Sequence, residues 1–204
     1  SRPGSRRSVP TPPSIGRWAR VVEDLAHMLN AIAGYDPRDP STSVLPVPDY
    51  AAALSGGVKG LRVGVLRSFF LESTGVALRQ VVEEAVRTLE GQGAISTEVN
   101  LASASLSAGA SYAVLSPEAY AYHERWLQER PQDYGPDVGE RLRVGAFVSA
   151  SEYLKGQRVR GLLRDEVNAA LEQADILVCA TTPIVATSVG QTEITVEHAK
   201  VPVL

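Results

Sequence analysis

The first candidates for metal ligands or nucleophiles are the three histidines (His27, His123, His198), the single cysteine (Cys179) and a cluster of serines at Ser103, Ser105, Ser107, Ser111 and Ser116. A zinc site needs histidine and cysteine ligands at short, regular spacings, and these residues have none. His27 stands among apolar neighbours on a helical stretch and is expected to be partly buried in a structural role. His123 lies in the aromatic helix "EAYAYHERW"; Glu124 adjoins it in sequence but cannot face it. His198, beside Glu197, falls in a segment with no assigned element. Cys179 sits in an apolar run and reads as a small core filler rather than a nucleophile. No G-x-S-x-G elbow surrounds any of the serines, so they read as small residues on a packed helix. Gly56, Gly57 and Gly60 precede a strand, whereas a phosphate-cradling loop follows its strand and opens a helix. The residues alone give no self-sufficient catalytic constellation.

Composition narrows the field further. A net charge of −3 offers no electrostatic footing for nucleic acid or an anionic membrane. A single cysteine excludes an internal disulfide framework and suits a reducing compartment. No apolar run approaches the roughly 18 residues that span a bilayer. The opening "SRPGSRRSVPTPPS" has no apolar core of a secretory signal. Residues 1–14 are therefore read as a disordered leader outside the fold, and 15–204 as the folded part.

The elements that would position any site follow from periodicity. From about Arg17, Val22, Leu25, Leu29 and Ile32 recur at helical spacing, backed by Val21 and Met28. Gly34 is expected to close that helix in a left-handed conformation, and Pro37 and Pro40 to prevent a restart. Pro46 and Pro48 keep the chain extended to about Tyr50. "LRVGVL" (61–66) reads as a buried strand and 76–89 as an amphipathic helix with Leu78, Val81, Val82, Ala85 and Leu89 inward. "ISTEVNL" (95–101) reads as a strand with Ile95, Thr97, Val99 and Leu101 on its buried face. Strand, helix and strand at this spacing make a βαβ unit with parallel strands. Ser116-Pro117-Glu118 has the form of a helix start. Pro136 opens another helix carrying Val138, Leu142 and Val144, and Ser149 with Glu152 forms a capping box for a helix to about Gln173. Residues 176–179 read as a further buried strand, broken at Thr182-Pro183.

Several stretches together resemble the amidase signature family, the serine amidases that include the A subunit of the glutamyl-tRNA amidotransferase. "IGRWARVVEDLAHMLNAIAGYDPRDPSTS" is similar to that family's "VGPMARTVEDAALLLDAIAGYDPRDPTS", with Arg17 and Trp18 in place of Pro-Met. "VKGLRVGVLRSFF", the segment from Glu118 to Arg160, and "DILVCATTPIVA" resemble later family segments in the same order, over roughly residues 15–186. The resemblance implies an α/β fold: part of a mixed β-sheet covered by helices on both faces, an incomplete amidase-signature fold. It implies a cytoplasmic, cofactor-free parent that cleaves the C–N bond of a small-molecule, non-peptide amide. Its triad is a serine nucleophile, a second serine in a cis-peptide bond and a lysine base, all upstream of the stretch matched here. No Gly-Gly-Ser-Ser-Gly-Gly-type run occurs in these residues, and Lys59, Lys155 and Lys200 match no catalytic position, so no catalytic residue is carried over.

By position, Tyr112, ahead of Pro117-Glu118-Ala119, and Arg141, in "ERLRVG", resemble family residues that contact substrate. The alternatives are an aromatic packed under a helix and a solvated helix charge. Two other readings stay open: the A subunit of an aspartyl/glutamyl-tRNA amidotransferase, and a non-catalytic or degenerate protein on the same scaffold. An incomplete sheet should also expose apolar edges that favour self-association.

Overall fold

The computed structural model describes residues 18–39, 42–191, 193–196 and 199–202, so the leader and His198 lie outside the described residues. The chain divides into two compact units: 1–57 with 110–157, and 58–109 with 158–204.

The second unit is built on β1 (Arg62–Leu66), α3 (Val76–Gly91), β2 (Ile95–Val99) and β3 (Ile176–Val178). The sheet order is β2-β1-β3, and both pairings are parallel, as the βαβ spacing requires. Strand alternation sends Val63 and Val65 to one face. There they meet Leu71, Val86 and Ala94, with Val82 and Leu89 of α3 packed alongside. Leu66 goes to the other face, with Val99, Leu101, Ala104 and Ala170, the last from α6 (Ala150–Gln173). The strands are thus covered by helices on both faces. Arg62 and Asp175 set the third strand in register. The Arg62 backbone N–H donates to Asp175 Oδ2 at 2.9 Å, its Nη2 donates to Oδ1 at 2.7 Å, and the Asp175 N–H returns to the Arg62 carbonyl at 2.8 Å. The guanidinium holds the Asp175 carboxyl below the usual carboxylate range.

Several faces differ in detail from the periodicity. The inward line of α3 is Leu78, Val82, Val86 and Leu89; Val81 is 61% exposed. Ile95 and Thr97 of β2 are exposed and only Val99 and Leu101 are buried, because the cluster with Leu66, Ala104 and Ala170 covers only that end of the face. β3 is short and only partly covered, and Cys179 just after it is half-buried against the Leu66 cluster. β4 (Glu193–Val196) and β5 (Ala199–Pro202) form a separate antiparallel hairpin.

The first unit holds α1 (Val22–Ile32), α2 (Tyr50–Ala53), α5 (Pro136–Val144), nearly all of α4 (Ser107–Glu129) and α6 up to Gln157. α1 buries Ala26, with Leu25 and Leu29 half-covered, while Val22, Met28 and Ile32 stay exposed. It ends on Ala33 in extended backbone, and Gly34 follows at φ 155°, away from the expected left-handed helical well. The polar exit is self-contained. The Asp36 carboxylate accepts from the Arg38 backbone N–H and, at 3.0 Å each, from its Nε and Nη2, which holds the carboxyl at about 2. Asn30 then ties α1 to α2, donating to Asp49 Oδ1 and accepting from the Tyr50 N–H, both at 2.8 Å.

The expected helix start at Ser116 is overturned. α4 runs unbroken through Pro117. An interior proline costs about 3 kcal/mol, but Ala110, Val114 and Glu118 are buried at intervals of four on one face, with Leu127 further along. Burying an aliphatic side chain is worth roughly 1.5–3 kcal/mol, so continuing the helix wins. The Glu118 carboxylate accepts from the Tyr153 hydroxyl at 2.9 Å. The capping box forms as read: the Ser149 N–H donates to Glu152 Oε2 at 2.8 Å and the Glu152 N–H to Ser149 Oγ at 3.2 Å.

Gly64 is a close-approach position. A Cβ there would lie 2.7 Å from Leu177 Cδ2, 2.9 Å from Val99 Cγ2 and 3.1 Å from Ala174 Cβ. Gly64→Ala should lower stability by about 1–3 kcal/mol, read as a drop in the thermal or denaturant midpoint. An unchanged midpoint would contradict this packing.

Candidate functional site

The structure brings Tyr112 and Arg141, 29 residues apart in sequence, to the lining of one cleft of about 330 Å³ in the first unit. α4 supplies Ser111, Tyr112, Leu115, Ser116 and Ala119, which fall on one helical face, and α5 supplies Val138, Arg141 and Leu142. Tyr112 is 57% exposed, so it is not an aromatic packed beneath a helix. Neither its hydroxyl nor the Arg141 guanidinium makes a hydrogen bond or ion pair among the described residues. Arg141 also stands in the last turn of α5, where a cation suits the helix dipole. The cleft therefore combines aliphatic walls with the hydroxyls of Ser111, Tyr112 and Ser116 and the fork-shaped cation of Arg141. That set suits an amphipathic small molecule whose polar end carries oxygen acceptors.

Sequence reasoning marked Val138 and Leu142 as a helix face but did not single out Leu115 or Ala119. Their signal was the i, i+3, i+4 spacing, which shows a face without showing whether another element covers it.

The other candidates are placed elsewhere. His123 Nδ1 lies 2.9 Å from the Tyr134 hydroxyl, and its ring meets Tyr122, Trp126 and Tyr134 edge-on or tilted, an aromatic cluster rather than a catalytic pair. His27 is exposed, 4.0 Å from Glu23, which corrects the expectation of a partly buried histidine. Ser103 donates to Glu166 Oε1 at 2.7 Å, and no serine is hydrogen-bonded to a histidine or lysine among the described residues. No group of three metal-ligating side chains occurs among them, and no described helix is long and apolar enough to cross a membrane. A second concavity of about 260 Å³, in the second unit, is lined by Glu98, Asn100, Glu166 and Gln173 among others. Its carboxylates already have neighbours: Glu166 accepts from Ser103, and Glu98 lies 3.8 Å from Arg67.

The family model described as Amidase matches residues 1–202. The chain belongs to the amidase signature family. It is 39% identical over 176 residues to an amidase of Pseudomonas putida, covering 86% of this chain and 38% of that relative. It is 32% identical over 200 residues to the A subunit of the glutamyl-tRNA(Gln) amidotransferase of Chloroflexus aggregans, covering 87% and 41%. Among solved structures, one described as a vestigial protein complex revealing the evolutionary origins of an s-triazine catabolic enzyme superimposes with a TM-score of 0.82. Its identity is 35%, over 90% of this chain and 39% of that one. The corresponding amidotransferase A subunit of Thermotoga maritima gives 0.64 at 27% identity, over 84% and 38%. This amidase-signature chain thus spans about two fifths of the length of the relatives it matches.

Proposed function

We propose that this chain contributes the substrate cleft of an amidase-signature serine hydrolase acting on the C–N bond of small, non-peptide amides. The observation that carries the reading is the pair of unpartnered groups, Tyr112 and Arg141, on a cleft otherwise lined by aliphatic side chains and two serines and large enough for a small ligand. In this reading Arg141 pairs with a carboxylate or similar anionic group of the substrate, Tyr112 donates a hydrogen bond, and Leu115, Val138 and Leu142 hold its hydrocarbon body.

The bond-breaking step belongs to the serine–cis-serine–lysine triad that the family carries upstream of the matched stretch. There the lysine takes the serine proton through the second serine as the nucleophile attacks the amide carbonyl. No cofactor enters this chemistry, and the working compartment is the cytoplasm. On this reading the chain alone releases no ammonia from an amide. The amidotransferase relatives support a second reading, the A subunit of an aspartyl/glutamyl-tRNA amidotransferase, in which the same cleft would serve within a complex. A third reading keeps the cleft as a non-catalytic binding module. The exposed edge residues Ile95 and Ile176 should also promote self-association of the isolated chain; a strictly monomeric boundary in sedimentation velocity would contradict that.

Calorimetric titration with 4-carbamoylbenzoate, which carries an amide, a ring and a carboxylate, tests the cleft. Arg141→Met should weaken its binding ~10-fold or more, because a charge-assisted hydrogen bond contributes about 1.5–3 kcal/mol, while neutral benzamide should bind the variant as it binds the parent. Equal affinities of the carboxylate for parent and variant would overturn the assignment. Ammonia release from benzamide by the chain alone would overturn the upstream placement of the triad.

A further inference from the structure

The C-terminal end of α5 meets α4 at Gly145, three and four residues beyond the cleft residues Leu142 and Arg141. Gly145 has φ −60° and ψ −25°, a right-handed conformation open to any residue, so the backbone does not demand glycine here. The surroundings do. A Cβ at this position would lie 2.0 Å from the Ser116 carbonyl oxygen, 2.6 Å from its carbon and 2.7 Å from Tyr120 Cβ. The first two are backbone atoms of α4 beside the rigid ring of Pro117, and they cannot swing aside as a side-chain tip would. Bare Cα–H against a carbonyl oxygen is the contact by which two helices approach most closely. Ser116 is itself a cleft residue, so the contact sits at the edge of the site.

We propose that Gly145 is a positioning residue for the cleft: by admitting α5 onto the Ser116 carbonyl, it sets the spacing between Arg141 and Tyr112 and hence the cleft's preference for an anionic amide. This rests on the cleft reading above. A methyl group at residue 145 must push α5 away from α4, carrying Arg141 and Leu142 with it. The aliphatic walls then still accept a neutral ring, but the guanidinium no longer meets the carboxylate where the tyrosine hydroxyl does.

The experiment compares the affinity of the chain for 4-carbamoylbenzoate and for benzamide. The parent chain should prefer the carboxylate. Gly145→Ala, with its fold checked by circular dichroism, should lose that preference by roughly 10-fold or more while its benzamide affinity changes little. A merely structural defect would weaken both ligands together. Gly139→Ala lies in the same helix, where a Cβ would meet the far end of the Arg143 side chain (Nη1 at 3.1 Å, Cζ at 4.0 Å) and Tyr134 Cβ at 3.6 Å, and it should keep the preference. Should Gly145→Ala fail to fold, Tyr120→Ile, which sets a second γ-carbon beside the same contact while removing the exposed Tyr120–Glu124 hydrogen bond and the ring, should reduce the preference in the same direction. A folded Gly145→Ala or Tyr120→Ile chain that retains full preference overturns the proposal and leaves the cleft reading intact. A parent chain that binds neither ligand overturns the cleft reading itself, and the role of Gly145 with it.

Discussion

The second unit depends on burying Val63 to Leu66, four of the five residues of β1, on both faces and both edges at once. Val63 is completely buried, and Val65 and Leu66 nearly so. A strand in that setting needs a neighbour on each side to satisfy its backbone groups and a helix on each face to cover its side chains. β2 and β3 supply the neighbours, α3 and the end of α6 the covers. Gly64 removes the one side chain that would hold Leu177, Val99 and Ala174 apart. In the first unit the corresponding constraint is α4, whose buried face continues across Pro117 and carries the cleft residues on another side.

Features fixed by neighbours in sequence were visible in the sequence. The Ser149–Glu152 capping box, the parallel βαβ unit and the proline that opens α5 all appear as read, since their partners lie within a few residues or follow from strand-helix-strand spacing. Features fixed at a distance were not. Periodicity marked Val22, Ile32, Val81 and Ile95 as inward faces, but it cannot tell whether anything covers a face, and these residues are exposed. Pro117 looked like a helix start because local propensity says so, whereas burial at Ala110, Val114 and Leu127 decides otherwise.

The site divides along the same line. Tyr112 and Arg141 entered through resemblance to a family, not through any local pattern, and their convergence on one cleft became visible only once α4 and α5 were placed. Gly145 gives no local signal at all. Its conformation is ordinary, and the carbonyl it must clear lies 29 residues earlier in the chain. Membership in the amidase signature family supplies the class of chemistry, and the proposed share of these residues in it is recognition, by the Arg141 cation, the cleft hydroxyls and the aliphatic walls.

The most direct test of that account is to follow the backbone amide resonances of the chain while 4-carbamoylbenzoate is added. The account predicts saturable shifts concentrated at residues 111–119 and 138–142, the two helical segments that line the cleft. Shifts centred instead on Glu98, Asn100, Glu166 and Gln173, or no saturable shifts anywhere, would contradict it.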